Sequence, residues 1–240
     1  MRKLKGGVII PLDVPREEKA LELVELLLPL NPFFKVGLEL FGRAGPGIVR
    51  KIRDRGGRVF LDLKFHDIPN TVAGAARAAA AGGAFMFNVH ALGGEEMLRA
   101  AASAAAGEAG RLGIEPPLVL GVTVLTSMDG EGLRQVGVKR PLEEQVLELA
   151  RLCRRCRLQG VVASPRETAR LREELGEDFI ILTPGVRPLG AELQDQKRVM
   201  SPREAAEAGA DYLVIGRPVT GAPDPRAALK SILESLTPGA

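Results

Sequence analysis

Arg58-Val-Phe-Leu-Asp-Leu-Lys-Phe65, then Pro69-Asn-Thr-Val-Ala-Gly-Ala-Ala-Arg-Ala-Ala-Ala-Ala81, then Ala84-Phe-Met-Phe-Asn-Val-His-Ala91: these three runs decide how the chain folds. The first and third are short and almost continuously apolar, as expected of strands covered on both faces. The middle run is Ala-rich, opens with Pro69 in its first turn and stops at Gly82-Gly83, which reads as a helix. Strand, helix, strand is the unit of a parallel sheet.

The unit repeats outward in both directions. Apolar runs fall at Val8–Val14, Phe33–Leu40, Arg58–Phe65, Ala84–Ala91, Leu118–Thr126, Gly160–Ser164, Phe179–Thr183 and Tyr212–Gly216. Helical patterns fall at Arg16–Leu28, Gly45–Arg55, Pro69–Ala81, Pro141–Leu158, Pro165–Leu175, Pro202–Ala208 and Asp224–Leu236. Eight strands alternating with helices predict an α/β fold, a closed (β/α)8 TIM barrel formed as a single domain over residues 1–240. An open doubly wound sheet would need a Gly-rich fingerprint after the first strand, where this chain has Asp13-Val-Pro-Arg16. The segment Gly107–Pro117 reads as a loop. Pro11 is awkward, because a strand paired on both sides has no place for a residue without an N–H; a local irregularity is expected there.

Composition narrows the function classes. The formal net charge is +3, and the basic residues are spread along the chain, so nucleic acid is not an expected partner. There is no Trp and a single Tyr, which argues against a stacking platform. No stretch approaches the ~20 apolar residues of a membrane span. The N-terminal apolar run is short and meets Pro11 and Asp13, so it reads as a first strand and the expected location is the cytoplasm. Cys153 and Cys156 have C-x-x-C spacing but lie inside a helical pattern, and the two histidines, His66 and His90, are distant in sequence. They read as structural thiols, neither a redox pair nor a metal site.

In such a barrel the chemistry sits at the C-terminal ends of the strands. Residues two apart on a strand face the same side, so Asp62 and Lys64 point together into the mouth, while Leu61 and Leu63 face the helices. Asp67 lies just beyond, and Lys35 and Asp13 end neighbouring strands. Enclosed charges must be paired. One reading is a structural ion-pair network; the other is a charged array aimed at a reacting centre, in which an ammonium kept charged by carboxylates serves as general acid. After the eighth strand, Gly216-Arg217-Pro218, followed by more turn residues, has the form of a phosphate site: Gly permits close backbone approach and Arg supplies a fork of donors. His66 reads as a structural hydrogen-bonding residue beside the array and His90 as a strand-end residue, neither catalytic.

The run Phe60-Leu-Asp62-Leu-Lys64-Phe-His66-Asp67-Ile-Pro-Asn-Thr71 resembles the signature of the orotidine 5′-phosphate decarboxylase family. The resemblance extends through Leu12-Asp13, Phe34-Lys35-Val36-Gly37, Asn88-Val-His90-Ala91, Val122–Met128, Leu182–Pro188, Asp195–Arg198 and Val214–Thr220. Pro11 departs from it, where the family commonly has Ala.

By resemblance, Asp13 and Lys35 contact the ribose hydroxyls, and Asp62, Lys64 and Asp67 form the array at the reacting carbon. Asp67, Ile68 and Thr71 would reach into a partner's site, which implies a homodimer with shared active sites. Thr126 and Ser127 would contact the pyrimidine, Arg187 and Gln196 would lie on a closing segment, and Gln196, Gly216 and Arg217 would hold the phosphate. The resemblance implies decarboxylation of orotidine 5′-phosphate to UMP, with no metal and no cofactor. Two relatives on the same barrel, 3-keto-gulonate 6-phosphate decarboxylase and hexulose-phosphate synthase, share Asp-x-Lys-x-x-Asp but resemble a magnesium site with a Glu on strand two, where this chain has Lys35. A non-catalytic barrel that binds a phosphorylated ligand is the alternative of a different class.

Overall fold

Strand and helix alternate along the computed structural model, which describes residues 4–187 and 200–237. The strands are β1 (Gly7–Pro11), β2 (Phe33–Gly37), β3 (Arg58–Phe65), β4 (Met86–His90), β5 (Leu118–Val122), β6 (Gly160–Val162), β7 (Ile180–Thr183) and β8 (Tyr212–Val214). They pair in parallel and in chain order, and β8 pairs back onto β1, so the sheet closes. Each of the eight predicted runs holds one strand. The helices are α1 (Glu17–Leu27), α2 (Leu38–Ala44), α3 (Gly47–Asp54), α4 (Pro69–Ala81), α5 (Gly94–Leu112), α6 (Gly130–Gln135), α7 (Leu142–Arg155), α8 (Thr168–Leu175), α9 (Pro202–Glu207), α10 (Arg217–Thr220) and α11 (Pro225–Ser235). None of those described is long and apolar enough to cross a membrane.

Four local expectations are corrected. The second run stops being a strand at Gly37, and Leu38-Glu-Leu-Phe, all good helix formers but the last, starts α2 instead. The supposed loop over Gly107–Pro117 is helical as far as Leu112. The Ala-rich face of α5, with Ala105 and Ala109 buried, carries the helix through Gly107 and Gly110, and it ends only at Gly113, whose φ of 65° is left-handed. The stretch Pro165–Leu175 divides into a 3₁₀ turn, Pro165–Glu167, and α8. After β8 the chain does not continue as turn residues but forms the short helix α10.

Side-chain alternation splits the interior into two layers. Ile10, Phe34, Leu61, Phe87 and Val89 face outward into the large core shared with the helices. Ile9, Phe60, Met86, Leu120, Val162, Leu182 and Val214 face inward and plug the barrel. Beneath them Phe33 and Phe85 are tilted against each other and each packs edge to face with Tyr212, and the Arg58 guanidinium lies 3.9 Å from the Phe85 ring centroid. The lumen is therefore apolar up to the level of Phe60, and anything charged above it stands on a dry floor.

The awkward Pro11 is resolved by where pairing stops. It is the last residue of β1 and pairs with Lys35 of β2, but the ladder to β8 ends at Ile9 and Val214. Ile215 N–H donates to the Ile9 carbonyl, and Leu12 N–H donates to the Lys35 carbonyl. Pro11 thus stands where the β8 ladder has ended and no donor is required. Its ring packs against Gly216, where any Cβ would come within 2.9 Å of Pro11 Cγ.

At the opposite end of the barrel, Arg172 of α8 is buried and ties three segments together. Its guanidinium donates to the carbonyls of Gly176, Phe179 and Gly209 and to Asp211 Oδ2 at 2.5 Å, and that oxygen also accepts from Ile181 N–H. Breaking a buried pair strands the remaining charge. Arg172→Ala is expected to lower the unfolding free energy by about 3–5 kcal/mol in urea denaturation. Arg151→Ala, which removes two exposed ion pairs, should leave the curve nearly unmoved. Equal effects would contradict this account.

Candidate active site

The C-terminal ends of β1, β2 and β3 bring four charges into one line. Lys35 Nζ lies 2.9 Å from Asp13 Oδ1 and 3.4 Å from Asp62 Oδ2, and Lys64 Nζ lies 2.7 Å from Asp62 Oδ1. Charge alternates along Asp13, Lys35, Asp62 and Lys64. Depth varies too: the side chains of Lys35 and Asp62 are 11% and 13% exposed, whereas Lys64 is 31% and Asp13 56% exposed. Lys35 reaches up from the level of Phe60 and Pro11 to meet both carboxylates. Gly37 makes room for it, since a Cβ there would stand 2.8 Å from Lys35 Nζ and 3.1 Å from Asp13 Oδ1.

β3 is bent to present this array. Its register with β4 shifts between Leu61 and Phe65, and Lys64 has a φ of 51°. Left-handed backbone costs a non-glycine residue about 1–2 kcal/mol, so the surroundings must hold it. Asn88, fully buried on β4, takes part: its Oδ1 accepts from Lys64 N–H at 2.8 Å, and its Nδ2 donates to Asp62 Oδ1 at 2.7 Å.

Burial pushes the Asp62 carboxyl up, but Lys35, Lys64 and the hydrogen bonds from Lys64 and Asn88 outweigh it and hold the group below its ordinary value. The imidazoles of His66 and His90 stack beside the array, with ring centroids 5.3 Å apart. Burial lowers the His90 pKa, and His66 and Lys64 add to that. His90 ends β4 as expected, while the stacking of His66 on it had no sequence signal.

The other predicted residues divide into groups. Asp13, Lys35, Arg187, Gly216 and Arg217 line one cavity of about 210 Å³, with Pro11 between its walls. Arg187 is buried, and its N–H donates to the Met200 carbonyl. Thr126 and Ser127 lie in the connection between β5 and α6, half-buried and exposed respectively, and do not line that cavity. Asp67, Ile68 and Thr71 stand exposed on the rim; Asp67 Oδ1 accepts from Ile68 N–H and does not join the ion-pair line. Gln196 lies outside the described residues. Asn88 and Gly37 were missed as site residues; both belong to inward-facing positions level with Asp62, and that parity was the available signal.

A second cavity, about 190 Å³ and lined by Phe41, Leu63, Phe65 and Ala78 among other apolar residues, backs β3 on the helix side and carries no chemistry. Among the described residues no group of three or more His, Cys, Asp or Glu is placed to hold a metal ion. Cys153 and Cys156 are free and buried, and burial pushes the Cys153 thiol up to about 12. Its sulfur fills the space left by Gly121, which accords with a structural role.

The depressed Asp62 carboxyl makes a signed prediction. Its ionised form contributes stability that is complete above the ordinary Asp value of roughly 3.9 and is lost as pH falls through the lower folded value. The stability gap between the wild-type protein and Asp62→Asn, measured by urea denaturation, should be constant near neutrality and shrink below about pH 4. A gap that widens on acidification would show the carboxyl to be raised instead.

Sequence and structure comparisons point the same way. Residues 7–232 match the model of the orotidine 5′-phosphate decarboxylase / HUMPS family. The chain is 56% identical over 233 residues to an orotidine 5′-phosphate decarboxylase of Moorella thermoacetica, covering 97% of this chain and 92% of that one. It is 54% identical over 234 residues to the enzyme of that name from Syntrophotalea carbinolica, covering 95% and 94%. The crystal structure of orotidine 5′-phosphate decarboxylase from Lactobacillus acidophilus superposes with a TM-score of 0.85 at 38% identity, covering 97% of this chain and 99% of that one. With the closed parallel barrel and the charged line at its mouth, these matches show that the chain belongs to the orotidine 5′-phosphate decarboxylase / HUMPS family.

Proposed function

We propose that the chain decarboxylates orotidine 5′-phosphate to UMP and CO2, a step of pyrimidine nucleotide synthesis, without metal or cofactor. The observation that carries this reading is Lys35, an ammonium paired with Asp13 and Asp62 at the point where the magnesium-using branch of the family would need a carboxylate ligand. The names of the relatives favour the same substrate.

The chemistry follows from the array. The bond from C6 of the pyrimidine to its carboxylate breaks, CO2 leaves, and the electron pair stays on C6 in the ring plane, where the π system cannot delocalise it. Fixed charge must stabilise it instead. The Lys64 ammonium stabilises the pair and then donates its proton to C6, giving UMP. Asp62, beside the substrate carboxylate, raises the energy of the bound reactant relative to the carbanion. Asp13 and Lys35 hold the ribose hydroxyls, and Thr126 and Ser127 the pyrimidine. Gly216, Arg217 and Gln196 take the phosphate, with Arg187 beside them. Binding energy from the phosphate positions the ring.

The working unit of this proposal is a homodimer with shared sites. Leu38, Ile68 and Leu92 follow β2, β3 and β4 and stand exposed at the same end of the barrel as Asp67 and Thr71. An isologous contact there would carry Asp67, Ile68 and Thr71 into the neighbour's site. The free thiols suit the cytoplasm.

Turnover, read as loss of orotidine 5′-phosphate absorbance, is expected from the purified protein and should be unaffected by a chelator. Lys64→Ala should lose at least about a thousandfold in kcat while remaining folded. Chelator-sensitive turnover restored by magnesium, or a Lys64→Ala variant of near-normal kcat, would contradict the mechanism.

Shared sites have their own test. Inactive Asp67→Ala chains mixed with inactive Lys64→Ala chains should regain activity on subunit exchange, because one site of each heterodimer then combines an intact Lys64 with an intact Asp67 from the other chain. If exchange is demonstrated and no activity returns, Asp67 acts within its own subunit.

A further inference from the structure

Asn88 is an uncharged side chain of the polar layer that touches both Asp62 and Lys64 across the bend in β3. Its place follows from strand parity. Met86, Asn88 and His90 alternate inward along β4, and Phe60 pairs with Met86, so Asn88 stands level with Asp62. Between Leu61 and Phe65 the β3–β4 register shifts, which interrupts the regular ladder at the part-buried Lys64 N–H. Asn88 Oδ1 accepts from that N–H at 2.8 Å, while Nδ2 donates to Asp62 Oδ1 at 2.7 Å. Lys64 Nζ donates to the same Oδ1 at 2.7 Å. One amide therefore holds the backbone of Lys64 in its left-handed turn and the carboxylate that receives the Lys64 ammonium.

We infer that Asn88 is a positioning residue for the reaction: its amide clips the bent end of β3 and so fixes the Lys64 ammonium and the Asp62 carboxylate relative to each other. The inference rests on the decarboxylase reading above for its kinetic consequence, though not for its geometry. Both hydrogen bonds need the amide. An aliphatic residue would take away the partner of the part-buried Lys64 N–H, and a carboxylate could accept from that N–H but would face Asp62 with like charge.

A protonated carboxyl, by contrast, matches the amide in shape and in donor and acceptor count. The charged or titratable groups around the position are Asp62 and Lys64 on β3, Lys35 on β2 with Asp13, two residues past β1, beyond it, and His90 of β4 stacked on His66. Two carboxyls at this distance share a proton above the ordinary Asp range.

The experiment compares Asn88→Ala and Asn88→Asp with the wild-type protein. In Asn88→Ala, kcat should fall about a hundredfold, the effect of a small misplacement of a reacting group. Affinity for UMP by calorimetry should stay within roughly threefold, because ribose and phosphate contacts lie elsewhere. In Asn88→Asp the ratio of kcat to that of wild type should rise as pH falls, when the introduced carboxyl takes up a proton and restores both bonds. A kcat for Asn88→Ala within roughly threefold of wild type, or kcat and UMP affinity falling in the same proportion, overturns the proposal. If Asn88→Ala does not fold, Asn88→Asp decides, and a ratio flat with pH refutes it. If the wild-type protein shows no turnover, the decarboxylase reading fails on its own. The ¹³C titration of the Asp62 carboxyl then judges the clip: an upward move in Asn88→Ala or Asn88→Asp upholds it, and an unmoved titration overturns it.

Discussion

A buried ammonium must be paired, and Lys35 is where this barrel meets that requirement. It stands on a dry floor of Ile9, Phe60 and Met86, almost out of water, with a carboxylate on each side. Removing either carboxylate would leave a charge in an apolar lumen, so the positions of Asp13 and Asp62 are set by Lys35 as much as by any ligand. The rest of the mouth follows from this. Gly37 lacks a side chain because the pair occupies its space. Asp62 stays ionised despite its burial because two ammonium groups face it. Lys64 then shares the one carboxylate oxygen that Lys35 leaves open.

Pairing also explains why the third strand is irregular. A regular β3 would continue its ladder with β4 past Leu61, yet the register shifts and Lys64 takes a left-handed φ. That conformation is unfavourable in itself, and at this point Asn88 supplies a hydrogen bond to the Lys64 N–H where the ladder to β4 is interrupted. Stability is given up locally to aim an ammonium. The losses are offset elsewhere, in the outer core between strands and helices and in the buried Arg172 clasp at the far end of the barrel. The division accords with the way barrels separate the end that reacts from the end that stabilises.

The legible and illegible parts of the sequence differ in kind. Strands buried on both faces must be apolar, so all eight runs could be read directly, and alternation placed Asp62 and Lys64 in the mouth beside Lys35 and Asp13. Two of the boundary errors came from glycine. Gly107 looked like a break, but the packed alanine face of α5 overrode it, and Gly37 ended a strand inside what read as one apolar run. Beyond strand parity, Asn88 carries no sequence signal of its own, because its contacts depend on a register shift that no single sequence announces. The Arg172–Asp211 pair joins residues 39 positions apart, and no local pattern in the sequence brings them together. Asp67 could be placed just beyond the strand end, and it stands exposed on the rim, outside the ion-pair line.

The charge balance of the array bears on the proposed chemistry. Asp13 and Asp62 carry two negative charges, and Lys35 and Lys64 two positive ones, so the line is neutral as a whole. A divalent cation is held by surplus negative charge from several oxygen ligands, and here each carboxylate is already matched by an ammonium. A substrate carboxylate entering beside Asp62 would disturb that balance by one negative charge in a poorly solvated place. Two responses are open: the incoming carboxylate takes up a proton, or the charge moves. Loss of neutral CO2 moves it, from the departing group to a ring carbon, and Lys64 is the nearer of the two ammonium groups to the open mouth and the less encumbered by carboxylates. Proton transfer from Lys64 to that carbon then removes the excess. A neutral, rigid line of charges is thus suited to a reaction in which negative charge appears on carbon, because it offers the new charge a fixed partner without the reorganisation that water would require.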